Sequence, residues 1–357
     1  PDAVWVFVDR LAVVDHERGR TYLLAVCPAD ETVPARAWLA SARAAVAPGP
    51  PDDPPPAAPA AAPRLARDRA RYLADVAECQ RELRAGESYE ICLTTSARLP
   101  VAGDPLAVYR RLRRANPAPH AAFLRLGEVA VLSSSPERFL RVDRDRHAES
   151  KPIKGTAGRS PDPVLDALLR RSLTTDPKTR AENLMIVDLV RNDLGRVCQT
   201  GTVTVERLMA VESYATVHQL VSTIQGRLRP DVSAVACARA CFPGGSMTGA
   251  PKRRTMEIID RLEGAARGVY AGALGYFSVS GPADLSVVIR TIVIHGGEAT
   301  VGAGGAIVLD SDPAAEHEEM LLKLHAVLGA VGQRSIDVDY GDRGVVVSAG
   351  REGVGEE

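Results

Sequence analysis

Lysine is scarce in this chain of 357 residues: five of its 44 basic residues are Lys, at 151, 154, 178, 252 and 323, and the other 39 are Arg. Asparagine occurs three times, at 116, 183 and 192. Arg stays charged and cannot act as an amine nucleophile, whereas a buried Lys can lose its proton. The five lysines are therefore candidates for positions where a guanidinium will not serve, with plain surface placement as the alternative for each. A bias of charge is also lacking. Lys+Arg is 44, Asp+Glu is 45 and the net charge is -1, which excludes a polyelectrolyte grip on nucleic acid or an anionic membrane. No apolar run approaches the roughly 18 residues of a spanning helix. The six cysteines, at 27, 79, 92, 198, 237 and 241, form no Cys-x-x-Cys pair and no Cys/His zinc spacing. They read as reduced core cysteines of a cytoplasmic protein, with Cys237 and Cys241 on one helix face. The opening PDAVWVFVDR lacks both a Met and the basic-then-apolar order of a signal peptide, and so reads as part of a longer chain.

Residues 1–46 read as two short strands, 3–9 and 21–26, and a helix over 35–46, together a partial N-terminal subdomain. Residues 47–63 hold eight Pro in seventeen positions and read as an extended or disordered linker. A denser region follows over 64–331. Tyr72, Leu73, Val76 and Leu83 recur at helical spacing over 67–85, and Gly86 offers the stop. Strands are expected at 88–98, 120–126, 129–134, 138–143, 202–211, 214–228, 268–280, 284–294 and 298–309. Helices are expected at 105–115, 162–173, 179–194, 232–241, 251–263 and 313–329. Residues 332–357 form a tail. Strands and helices arrive in separate groups without βαβ alternation. The class is therefore α+β with large antiparallel sheets.

Several constellations carry chemistry. The last helix sets Glu316, Glu319 and Lys323 on one face, as either a solvated salt-bridge face or part of a site. Just before it, GAGGA at 302–306 reads as a glycine turn whose bare amides suit an anion. Glu182 abuts an apolar run in TRAENLMIVDLVRNDL. Carboxylates from two helices, Glu182 and Glu319, are a normal way to hold Mg²⁺. Glu137 follows Pro136, and Lys154 lies in a turn-like Lys-Gly-Thr stretch. A Lys beside a carboxylic acid in a dry cleft suits an amine nucleophile with a general acid. PGGSMTGAPK at 243–252 fails as a phosphate loop, because Ala250 and Pro251 separate Gly249 from Lys252.

Taken in order, SPERF, PIKGT, AENLMIVDLVRNDLGR, VHQLVSTI, FPGGSMTGAPK, GYFS, IRT, GAGGAIV and the Glu-x-x-Glu-x-x-x-Lys helix resemble the chorismate-utilising enzymes over about residues 68–329. That family includes the anthranilate, aminodeoxychorismate, isochorismate and salicylate synthases. The resemblance implies a two-sheet antiparallel sandwich with outer helices and a chorismate-binding catalytic domain over 64–331. Water-adding members carry a Lys at the position of Glu90, and anthranilate synthases carry Ala at the position of Lys154. The sequence therefore resembles the aminodeoxychorismate synthases, with anthranilate or 2-amino-2-deoxyisochorismate synthesis as the alternative and a non-catalytic chorismate-binding subunit as a remote one.

The implied roles follow from that resemblance. Mg²⁺ on Glu182 and Glu319 binds the ring carboxylate, Glu137 protonates the departing C4 hydroxyl, and Lys154 attacks C2 before ammonia enters at C4. Tyr276 and Arg290 hold the enolpyruvyl carboxylate, while Gly304, Gly305 and Lys323 add anion contacts. His218 lies beside the ring, and Thr156 hydrogen-bonds the substrate. The Lys154 amine is expected to be lowered in pKa by burial and by nearby cations, Lys151 or the metal. Thr179 replaces an acidic residue of relatives, which implies a different outer shell for the metal. The chain lacks a Gly-x-Cys-x-Gly nucleophile elbow, so ammonia is expected from a glutamine amidotransferase domain or subunit.

Overall fold

The computed structural model describes residues 2–46, 54–57 and 61–332. Most of the expected linker and all but the first residue of the expected tail lie outside the described residues. The chain divides into two compact units, Pro1–Pro55 and Pro56–Glu357. In the first unit, β1 (Arg10–Asp15) and β2 (Arg20–Ala25) form an antiparallel hairpin, and α1 (Thr32–Ala45) follows. The strand expected at 3–9 is absent. Val4–Val8 is an exposed apolar run, and among the described residues the β1–β2 ladder begins at Arg10.

The second unit is built on two seven-stranded antiparallel sheets. Its elements run β3 (Arg64–Leu65), α2 (Arg69–Arg84), β4 (Glu90–Pro100), α3 (Pro105–Ala115), β5 (His120–Leu126), β6 (Val129–Ser135), β7 (Arg138–Val142), β8 (His147–Lys151) and β9 (Ile153–Gly158). Then come α4 (Pro163–Thr175), α5 (Pro177–Gly195), β10 (Thr204–Ser213), β11 (Val217–Arg227), α6 (Ala234–Cys241), β12 (Gly249–Ala250) and α7 (Lys252–Glu263). The last are β13 (Ala273–Phe277), β14 (Ala283–Val287), β15 (Thr291–His295), β16 (Glu298–Ile307) and α8 (Pro313–Leu328). One sheet is ordered β12-β4-β16-β15-β6-β5, with β3 on β4. The other is β10-β11-β8-β7-β14-β13, with β9 on β11.

Helix starts follow simple chemistry. Asp162, Asp176 and Asp312 each accept a backbone N–H of the first turn, and each is followed by Pro at the first helical position. β4 is buried along Glu90–Thr95. Its pleat sends Ile91 and Leu93 into the apolar cluster with α2, α7 and α8, and Cys92 into the cluster of the other sheet with α5 and α6. Glu90 shares the face of Cys92 and points towards the second sheet.

The chain passes from one sheet to the other twice at one seam. The first crossing is Pro136–Glu137, between β6 and β7. The second is Val288–Arg290, between β14 and β15. The strand expected at 284–294 is thus two strands in two sheets, parted where Arg290 takes φ 52°. The crossings are laced together. Ser135 Oγ donates to Val287 O at 2.6 Å, Val287 N to Glu137 O at 3.0 Å, and Ser134 N to Arg290 O at 3.1 Å. All six cysteines are free thiols. Among the described residues no helix is long and apolar enough to cross a membrane.

Candidate active site at the seam between the sheets

Lys154 stands on β9, where the sequence suggests a turn. It is buried, and its Nζ donates to Glu90 Oε1 at 2.6 Å and lies 3.9 Å from Glu182 Oε2 on α5. Its neighbours are therefore anions, not the cations expected. Burial lowers its pKa, but the Glu90 and Glu182 carboxylates outweigh burial and hold it above the usual lysine value. Lys151 plays no part in this, since it pairs with Glu212 at 2.7 Å. Gly155, next in the strand, has φ +87°, and a Cβ there would meet Thr179 Cγ2 at 2.4 Å. Thr179, the departure noted at the metal motif, is thus the surface on which β9 rests.

Glu137 sits in the first crossing and is buried. Burial pushes its carboxyl up to about 7, against a hydrogen bond from Ser246 and the field of Lys154. A carboxyl poised there is an acid available at neutral pH. Ser246 belongs to the 243–252 loop, whose role in the site the sequence did not reveal.

Glu182, Glu316 and Glu319 gather around one cation, Lys178, which the sequence also left unassigned. Its Nζ donates to Glu316 Oε1 at 2.6 Å, lies 3.8 Å from Glu182 Oε1 and feels Glu319 through space. Glu316 is buried and also accepts from Ser311 Oγ at 2.6 Å. Burial raises the Glu182 carboxyl. Glu319 is lowered, because Lys323 at 2.7 Å outweighs burial. No group of three or more His, Cys, Asp and Glu among the described residues forms a metal cage. Mg²⁺ does not need one, since it takes one or two carboxylates with water and substrate oxygens. These hard oxygen donors from two helices, already gathered on an ammonium, fit that requirement.

GAGGA is not a turn. Residues 302–306 lie inside β16, paired with β4. Beyond Val301 no described strand pairs with the other edge of β16. Lys323 Nζ donates to Gly304 O at 2.8 Å, and a Cβ on Gly305 would press on Glu316 Oε2 at 3.1 Å. The glycines thus let α8 deliver its charged face onto the strand.

Arg290 is partly buried, desolvation lowers its pKa, and it is coupled electrostatically to Tyr270 and Glu319. Tyr276, the expected companion, is not brought to it. Tyr276 is 60% exposed and pairs across β13–β14 with Asp284. The tyrosine beside Arg290 is Tyr270, whose ring fills the space a side chain at Gly302 would need. His218 is buried, with Nδ1 2.7 Å from Ser213 Oγ and Nε2 3.1 Å from Asp166 Oδ1. Thr156 is exposed and opposes Gln219, so in the β9–β11 ladder it falls on the other face from His218, which opposes Ala157. The last lysine, Lys252, is structural: it binds Asp193 Oδ2 at 2.6 Å and the carbonyls of Cys241 and Pro243. A groove of about 1320 Å³ beside it, between α5, α6 and α7, is lined by none of the expected site residues. The chemistry lies at the seam instead.

A two-sheet fold with a buried acid, a buried amine and a cluster of carboxylates defines the class, and the chain belongs to the chorismate binding enzymes, whose family description matches residues 1–329. It is 56% identical over 333 residues to an aminodeoxychorismate synthase of Streptomyces griseus, covering 92% of this chain and 46% of that one. It is 42% identical over 328 residues to aminodeoxychorismate synthase component 1 of Klebsiella aerogenes, covering 92% and 70%. The chain thus spans about half the length of the Streptomyces griseus protein. Among solved structures it resembles anthranilate synthase component I from Streptococcus pneumoniae TIGR4, with TM-score 0.79 and 29% identity over 90% of this chain and 72% of that one.

Proposed function

We propose that this chain aminates chorismate at C4 to give 4-amino-4-deoxychorismate, with ammonia supplied by a glutamine amidotransferase domain or subunit. The observation that carries the reading is the buried Lys154 amine, set at the same seam as the buried acid Glu137. The names of the relatives quoted above agree with it.

In this reading Lys154 Nζ bonds to C2, the ring double bond shifts and the C4–O bond breaks. Glu137 gives its proton to the leaving hydroxyl, which departs as water. Ammonia then bonds to C4, the double bond shifts back and the C2–N bond to Lys154 breaks. The ammonium formed at C4 returns a proton to Glu137, which is thereby reset. The enolpyruvyl group stays on the ring. Glu182, Glu319 and Glu316 would hold Mg²⁺, which when bound supplies charge neutralisation for the ring carboxylate. Arg290, Tyr270 and Lys323 offer cationic and hydrogen-bonding groups to the substrate's anionic parts.

The test is the product formed from chorismate, ammonium salt and Mg²⁺, identified by mass. 4-Amino-4-deoxychorismate without pyruvate is expected. Fluorescent anthranilate with stoichiometric pyruvate would overturn the reading and favour the alternative.

A further inference from the structure

The mechanism above leaves one proton without a carrier. Lys154 must lose a proton to bond to C2 and regain one when that bond breaks, while Glu137 is occupied at C4. We infer that Glu90 carries it: its carboxylate takes the proton from Lys154 as the C2–N bond forms and gives it back as that bond breaks. The inference rests on the reading of Lys154 as nucleophile and deepens it.

The geometry selects Glu90. Its Oε1 is 2.6 Å from Lys154 Nζ, within reach for direct transfer, whereas Glu182 stands at 3.9 Å and also faces Lys178. Glu90 is 1% exposed, so water does not compete as the proton acceptor. Its Oε2 is buried and has no hydrogen-bond partner among the described residues, so it is not committed to another donor. The transfer runs along the existing Nζ–H to Oε1 hydrogen bond, so neither side chain has to move for the proton to pass.

Its position is fixed by the backbone. Ser88 Oγ donates to Glu90 O at 2.9 Å and is 2.7 Å from Thr255 Oγ1. Gly249 of β12 packs so closely that a Cβ there would fall 1.8 Å from Glu90 O. The 243–252 loop therefore holds both acids. Its Gly249 packs on Glu90 and its Ser246 hydrogen-bonds Glu137. The protons balance. Glu90 receives one from Lys154 and returns it to Lys154, while Glu137 gives one to hydroxide and recovers one from the C4 ammonium. Each carboxyl serves one ring carbon.

The test is Glu90→Gln, which keeps the shape and cannot accept the proton. With chorismate and no ammonia, rapid-quench intact mass should show adduct formation on Lys154 slowed by about 10² or more, with KM for chorismate and for ammonium within about twofold of wild type. In a Lys154→Ala background, adding Glu90→Gln should not lower the residual amination at C2 further. Glu90→Ala should be rescued by formate, which a purely structural role would not allow. Wild-type adduct rates in Glu90→Gln would overturn the inference. So would an equal loss in the Lys154→Ala background, which would place Glu90 on ammonia or substrate. Lys154→Ala that still makes 4-amino-4-deoxychorismate at the wild-type rate would instead sink the nucleophile reading itself.

Discussion

Glu137→Gln should make the protein more stable and nearly inactive, for one reason. Burial pushes the Glu137 carboxyl from its ordinary 4.5 up to about 7, and the Ser246 hydrogen bond and Lys154 offset only part of that. The folded protein therefore holds this proton more tightly than the unfolded chain does. The stabilisation is fully present below pH 4.5, is lost as pH rises through about 7, and stays lost above it. A shift from 4.5 to about 7, at about 1.4 kcal/mol per pH unit, amounts to about 3 kcal/mol. A Gln amide fills the same space and never ionises, so the variant avoids this loss. In a chain of this size about 3 kcal/mol corresponds to roughly 5 °C or more in Tm. Calorimetric melting of both proteins from pH 5 to 9 should show a gap that opens towards pH 7 and then levels. Turnover should fall by about 10²–10⁴, the usual contribution of a general acid. Wild-type kcat should decline as pH rises through about 7, and the residual rate of the variant should not. Parallel stability curves at every pH, or a variant with wild-type turnover, would refute the argument.

Other variants probe the rest of the seam. Lys154→Ala should lose 4-amino-4-deoxychorismate and divert ammonia to C2, giving 2-amino-2-deoxyisochorismate or anthranilate by product mass. Lys154→Arg should be inactive, because a guanidinium stays charged. Gly155→Ala forces a side chain into a positive φ and against Thr179 Cγ2. It should cost about 1–3 kcal/mol by chemical denaturation, partly recovered by adding Thr179→Ala. Tyr276→Phe should leave kcat and KM within twofold, whereas Gly302→Ala, which collides with the Tyr270 ring, should raise KM for chorismate. Glu182→Gln and Glu319→Gln should each raise the Mg²⁺ concentration needed for half-maximal rate, with Mn²⁺ binding weakened in parallel.

Much of this was legible in the sequence because it is local. Helix starts carry Asp-Pro pairs, apolar spacing gives α2, and the helix over 105–115 coincides with α3. What was not legible depends on pairs distant in the chain. β8 and β9 were missed because Lys-Pro and Lys-Gly look like turn chemistry, and only pairing with β7 and β11 makes them strands. The crossing at Val288–Arg290 was missed because β14 and β15 read as one apolar run, although they belong to different sheets. GAGGA looked like a turn because glycine signals turns, yet here it makes room for α8 and Tyr270. In the site, Glu182 and Lys154 stood out by motif, but their proximity follows from β9 lying on α4 and α5. The anionic surroundings of Lys154 could not be seen, since Glu90 is 64 positions away. Tyr270 and Tyr276 are six residues apart in one glycine-rich stretch, and only the fold decides which stands by Arg290.

The central claim is that Lys154 bonds covalently to the ring. Its most direct test is peptide mapping of the protein quenched after mixing with chorismate and Mg²⁺ without ammonia. A mass gain of chorismate less one water is expected on the peptide containing Lys154, disappearing when ammonium is added and product forms. Product formation at the full rate with no adduct on Lys154 at any quench time, or the same adduct on another residue, would contradict it.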